Sequence, residues 1–222
     1  MLTLSKTGGL AAIGCGLTYV IGFAFLVTVL APLGGGTAEQ DYAAMIAFAV
    51  DNHAVLTTWN MIIYVLNGVL LAVLAVALWS RFRDDAPALA QVSLVFGGLW
   101  ATLVIAAGMV ANVGLKEAIS VFQTDPARAA ELFQIFSTIE NGLGGGNEIA
   151  GGVWVLTLSI AGFVTMKLSK PLSGLGAVIG LSGLASAIPA LSEILGAVFG
   201  LGFIVWFFWV GFAQLRRSNE AA

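Results

Sequence analysis

The feature that most constrains this chain is its series of unbroken apolar stretches, each about as long as a bilayer is thick. They cover 8–30, 54–79, 87–113, 147–166, 171–187 and 194–215, with more polar segments between them. A helix rises about 1.5 Å per residue, so about 20 apolar residues cross the hydrocarbon core. A membrane barrel would instead show segments of about ten residues that alternate apolar and polar. These stretches are continuous and rich in Leu, Ala, Val and Gly, which selects helices. Charged residues make up 9% of the chain, against about 25% in a soluble domain. So few charges cannot clothe a water-facing surface, and the turns are too short to hold a soluble domain. The expectation is an all-α polytopic membrane protein, a six-transmembrane-helix bundle forming one membrane domain over 1–222.

The segments between spans carry their own signals. A signal peptide is the rival reading of 8–30, since Lys6 gives it a basic start. The run exceeds the usual apolar region of about 7–15 residues, and Pro32 follows Ala31 where cleavage would fall, so a retained anchor is expected. Gly34, Gly35 and Gly36 then break the helix. Thr37 with Gln40 patterns as a capping box, opening a short helix over 38–50 with Tyr42, Met45, Ile46 and Phe48. That segment is too short to span and is expected at the interface or tucked into the bundle. Pro87 and Pro171 open two spans, because Pro is welcome in a helix's first turn. Asp125-Pro126 reads as an N-cap followed by Pro at the first helical position. Apolar residues at 129, 132, 133, 136 and 139 then predict an amphipathic helix on the membrane surface. A mobile glycine linker follows, from Gly142, and ends at Asn147. The two short segments, 38–50 and 127–139, both fall on the outer side.

An even number of spans puts both termini on one side, and the cations say which. Of nine Lys and Arg, one side collects Lys6, Arg81, Arg83, Lys167, Lys170, Arg216 and Arg217, and the other only Lys116 and Arg128. The positive-inside rule makes the termini cytoplasmic. Most acids fall opposite, among them Asp41, Asp51, Glu117, Asp125, Glu131, Glu140, Glu148 and Glu193.

Lipid tails supply no hydrophobic drive between helices, so close backbone packing must hold such a bundle. Gly176 with Gly180, and Gly196 with Gly200, form two GxxxG pairs that serve either packing inside the chain or self-association. Trp59 and Trp79 suit an interfacial belt, whereas Trp100 and Trp206 lie deeper as packing residues. Expected partners are membrane lipid and, through the glycine faces, other membrane proteins or a second copy.

One polar set stands out. His53, Asn60, Tyr64 and Asn67 are spaced to share one face of the second span. An amide in hydrocarbon must find a partner, so this stripe faces the bundle interior, either as interhelical glue or as the wall of a polar cavity. Asn112 ends the third span on the outer side, Asn147 and Glu148 begin the fourth there, and Ser192 and Glu193 occupy the outer turn. Converged, they would form an outward-facing pocket. Glu148 also has a simpler reading, as a first-turn acid favoured by the helix dipole.

Many activities are excluded. Bis-histidine haem and multi-histidine zinc sites need more than the single His53. Retinal attachment needs a mid-membrane Lys, and every Lys lies at a span end or in a turn. Thiol exchange needs a second cysteine beside Cys15. There is no GxSxG, no GxxxxGK and no basic cluster for nucleic acid. No catalytic residue, metal or cofactor is expected.

Glu148-Ile-Ala-Gly-Gly-Val-Trp154, 172–181, and the closing 199–211 before the Arg pair resemble a bacterial domain-of-unknown-function family of six-span membrane proteins, as does the second-span ending at Trp79 and Arg81. The resemblance covers about half the chain. It implies a six-helix fold with no assigned activity; the location expected for the chain is the bacterial inner membrane. The sequence thus points to a non-enzymatic accessory or scaffold subunit that binds other membrane proteins or lipid. The alternative is a small-solute or ion transporter using the pocket of His53, Asn60, Tyr64, Asn67, Asn112, Asn147 and Glu148.

Overall fold

The computed structural model describes residues 3–35, 40–145 and 148–220, and every regular element among them is helical. Five stretches are long and apolar enough to cross a membrane: Leu4–Leu33, Tyr42–Phe82, Pro87–Phe122, Pro126–Thr165 and Pro189–Arg217. The principal helices are α1 (Leu4–Phe25), α2 (Tyr42–Asn60), α3 (Asn67–Phe82), α4 (Pro87–Phe122), α5 (Pro126–Glu140), α6 (Ile149–Thr165), α7 (Lys170–Ala185) and α8 (Ser192–Glu220). The segment expected as the fifth span is α7, which has 16 residues, about 24 Å of helix.

Three boundaries differ from expectation. The short helix over 38–50 and the second span are one continuous helical run from Tyr42 to Phe82. No Gly or Pro interrupts it before Gly68, so nothing stops the helix. Asp51, Asn52 and His53 look like a turn, yet they leave only a kink: Asn52 has φ −119° and ψ 19°, and its amide donates to the Phe48 carbonyl at 2.9 Å. The expected capping residue Thr37 lies outside the described residues. The cap of α2 is Asp41, whose carboxylate accepts from the Ala44 amide at 2.9 Å. The third span runs on from Val113 to Phe122. The start of the glycine linker, Asn141–Gly145, is a π-helical turn continuing α5.

The chain divides into two compact units. One takes the described residues of Met1–Leu17, Asn67–Leu103 and Asn147–Ala222. Its core is aromatic: Trp100, Trp154, Phe199, Phe203, Trp206 and Phe207 are each at most 1% exposed. The rings meet largely edge to face, with Phe199 and Phe203 at 4.7 Å and Trp154 and Trp206 at 5.5 Å. Such pairs contribute about 0.5–1.5 kcal/mol each beyond their burial. Glycines bring the helices into backbone contact around this core. A Cβ on Gly211 of α8 would lie 3.0 Å from the Gly9 carbonyl of α1, and one on Gly180 of α7 would lie 2.8 Å from the Gly152 carbonyl of α6. Outward-facing side chains such as Val164, Val178, Leu201, Val205 and Phe212 are apolar and exposed, as lipid contact requires.

The other unit takes the described residues of Thr18–Leu66 and Val104–Gly146. Its core gathers Leu30, Ile46, Ala49, Leu56, Leu115, Ala118 and Ala129. Helix α5 starts as Asp125-Pro126 predicts, with the Asp125 carboxylate accepting from the Arg128 amide at 3.0 Å. Its apolar stripe packs on protein: Ala129, Leu132 and Phe133 join the core, and Phe136 fills the space that Gly114 leaves on α4. Ile135 and Ile139 remain exposed.

Candidate functional site

The polar residues singled out from the sequence fall in both units. His53, Asn60, Tyr64 and Asn112 belong to the second unit; Asn67 and Glu148 belong to the first. Asn147 lies outside the described residues. Within the second unit, Asn60 is buried and donates its amide to the Asn112 side-chain oxygen at 3.0 Å. The Tyr64 hydroxyl donates to the Glu140 carboxylate. A Cβ on Gly108 would meet the Tyr64 Cβ at 2.5 Å, so that glycine makes the room Tyr64 occupies. His53 is exposed, one residue beyond the kink.

The second span is not uniformly α-helical. Met61–Leu66 is π-helical. Its i→i+5 bonding widens the turn, and each added residue swings the following side chains by about 100°. Seven residues of straight α-helix would put Asn67 on the face of Asn60, which is the expectation from their spacing. Asn67 is 1% exposed, and its backbone carbonyl accepts a weak bond from the Cys15 thiol at 3.9 Å.

In the first unit, Glu148 is half-buried at the N-cap of α6, where its side chain makes no capping bond. Its carbonyl accepts from the Gly152 amide at 2.8 Å. Of the glycines, Gly176 packs on Ser159 and Trp206, and Gly180 on Leu156 and Gly152. Gly200 is buried, whereas a Cβ on Gly196 would meet nothing within 4 Å. The first GxxxG pair is thus used inside the chain.

Sequence reasoning missed two arrangements. One is Glu140 as the partner of Tyr64. The other is a cationic pocket of about 260 Å³ in the first unit, where α3, α6 and α8 end and α7 begins. Arg81, Lys167, Arg216 and Arg217 line it together with Leu168, Leu172 and Trp209. Arg81 donates one guanidinium nitrogen to the Lys167 carbonyl, and Lys167 returns a bond to the Arg81 carbonyl at 3.0 Å. Lys167 also pairs with Asp85. The remaining Arg81 nitrogens, Nε and Nη1, are buried with no hydrogen-bond partner. The sequence did carry a signal for this pocket, in basic residues at several helix ends, but it served only to orient the chain. Among the described residues no group of three or more His, Cys, Asp or Glu could hold a metal ion.

No family model, curated protein or solved structure matches the chain. What it does must therefore be argued from its own residues.

Proposed function

We propose that the chain is a six-span protein of the bacterial inner membrane, both termini cytoplasmic, serving as a non-enzymatic accessory or scaffold subunit that binds other membrane proteins or lipid. The observation that carries this reading is that two polar pairs of its helices close on each other. Asn60 spends its amide on Asn112, and Tyr64 its hydroxyl on Glu140. Groups consumed in this way fasten helices together. The five long apolar helices supply five spans, and α7 the sixth. The orientation draws on charge: of nine Lys and Arg, only Lys116 and Arg128 belong to the second unit, leaving seven in the first. At 36 residues, α4 is about 54 Å long, more than the about 40–45 Å of a whole bilayer. Its surplus length, with α5 packed in the same unit, offers a docking surface outside the membrane. Acids such as Asp41, Asp51, Glu117 and Glu131 suit that surface to a cationic partner.

A second reading, a small-solute or ion carrier, draws support from the π segment between Asn60 and Asn67, since π turns are frequent at functional sites. Native mass spectrometry of the protein extracted from its own membranes separates the two. The scaffold reading expects a larger assembly of defined stoichiometry. A monomer that holds a small molecule, released by Asn60→Leu, would overturn it in favour of the carrier.

A further inference from the structure

The cationic pocket has the marks of a site awaiting an anion. Arg81 is held from both directions, its guanidinium on the Lys167 carbonyl and its own carbonyl under the Lys167 ammonium. That grip fixes the guanidinium while leaving Nε and Nη1 buried and unpartnered. A buried donor without an acceptor is costly, and a buried charged one more so. Among the described side chains the ion pairs are Arg83 with Asp84, Arg128 with Glu131 and Lys167 with Asp85. Arg81, Arg216 and Arg217 therefore line one pocket with no carboxylate paired to them among the described side chains. The N-cap of α7, Ser169, lines the same pocket, so the positive end of that helix adds to the field.

The guanidinium of Arg81, with the Arg216 and Arg217 cations lining the same pocket, supplies charge-assisted donors that suit an oxyanion. The volume, about 260 Å³, lies just below the about 300–1,000 Å³ of ordinary ligand sites, which suits a headgroup better than a whole cofactor. One wall is apolar: Leu168, Leu172, Ala213 and Trp209, the last 41% exposed. A charged floor beside an apolar, outward-open wall fits an amphiphile.

We propose that this pocket binds a phosphate group, supplied in the membrane by the headgroup of an anionic phospholipid. The proposal rests on the membrane reading above and goes beyond it by naming the ligand and its residues. Free phosphate shares the charge but has no use for the apolar wall, so the two sources are separable.

The test is native mass spectrometry of the full chain in mild detergent, titrated with phosphatidylglycerol, and separately with inorganic phosphate as competitor. R216Q/R217Q removes two exposed cations and leaves Arg81 and its contacts in place. Its affinity for phosphatidylglycerol should fall about ten-fold or more. R83Q removes a cation at the same end of α3 but outside the pocket, and should stay within about two-fold of wild type. Displacement of the lipid by millimolar phosphate would assign the site to a free anion; resistance to it assigns the site to the headgroup. Equal binding by all three proteins, or an R83Q loss as large as that of R216Q/R217Q, would overturn the pocket. The membrane reading is checked separately, by retention of the chain in alkali-washed membranes.

Discussion

Gly180 of α7 and Gly152 of α6 sit backbone to backbone: a Cβ on Gly180 would lie 2.8 Å from the Gly152 carbonyl oxygen and 3.0 Å from the Leu156 amide nitrogen. Those neighbours are main-chain atoms of a helix and cannot swing aside. Gly180→Ala should therefore destabilise the protein by about 1–3 kcal/mol, as overpacking does. Gly174→Ala on the same helix is the control, because a Cβ there meets nothing within 4 Å. The control should be neutral or stabilising by up to about 1 kcal/mol, the helix propensity that Ala gains over Gly. Thermal unfolding in detergent reads both. Equal melting temperatures for the two variants would show that the helices do not meet through Gly152 and Gly180.

The Asn60–Asn112 bond predicts a signature in a double-mutant cycle. Asn60→Leu leaves the Asn112 amide facing an apolar side chain, and Asn112→Leu does the same to Asn60, which is 8% exposed. Each single change should cost more than its half of the double change, with a coupling of about 0.6–2 kcal/mol. Additive losses would mean that the two amides have other partners.

How much of this was legible in the sequence depends on the range of each signal. Helix starts were readable at Pro87 and at Asp125-Pro126, because Pro geometry and side-chain capping act within one turn. The packing role of Trp100 and Trp206 followed from position along an apolar run, and both are at most 1% exposed. Continuity was misread at Asp51-Asn52-His53, where polarity suggests a turn but the backbone only kinks. The π segment between Asn60 and Asn67 was not foreseen, because it leaves no mark in apolar sequence. Glu140 escaped notice because it is 76 residues from Tyr64. The cationic pocket was hidden for the same reason: its residues come from several separate helix ends.

Cys15 is 0% exposed on α1, its thiol directed at the Asn67 carbonyl. A maleimide reaches such a thiol only when the helices part. Labelling of the folded protein in mild detergent should be at least about ten-fold slower than in denaturing detergent, read by intact mass. Equal rates would show that α1 does not pack on the start of α3.

The orientation can be decided with two cysteines. His53 and Arg83 are both exposed; His53 lies within the continuous helical run Tyr42–Phe82, just past its kink, and Arg83 follows its last residue. Thirty residues separate them, about 45 Å of helix, more than the about 30 Å of hydrocarbon. If this run crosses the membrane, the two positions meet different compartments. In a Cys15→Ala background, His53→Cys should react with a membrane-impermeant maleimide on intact cells, because the cation-poor face lies outside. Arg83→Cys should react only after permeabilisation. The reverse pattern would invert the topology and put the Arg81 pocket on the outer face. Labelling of both on intact cells would mean that the run does not cross, and the six-span reading would fall with it.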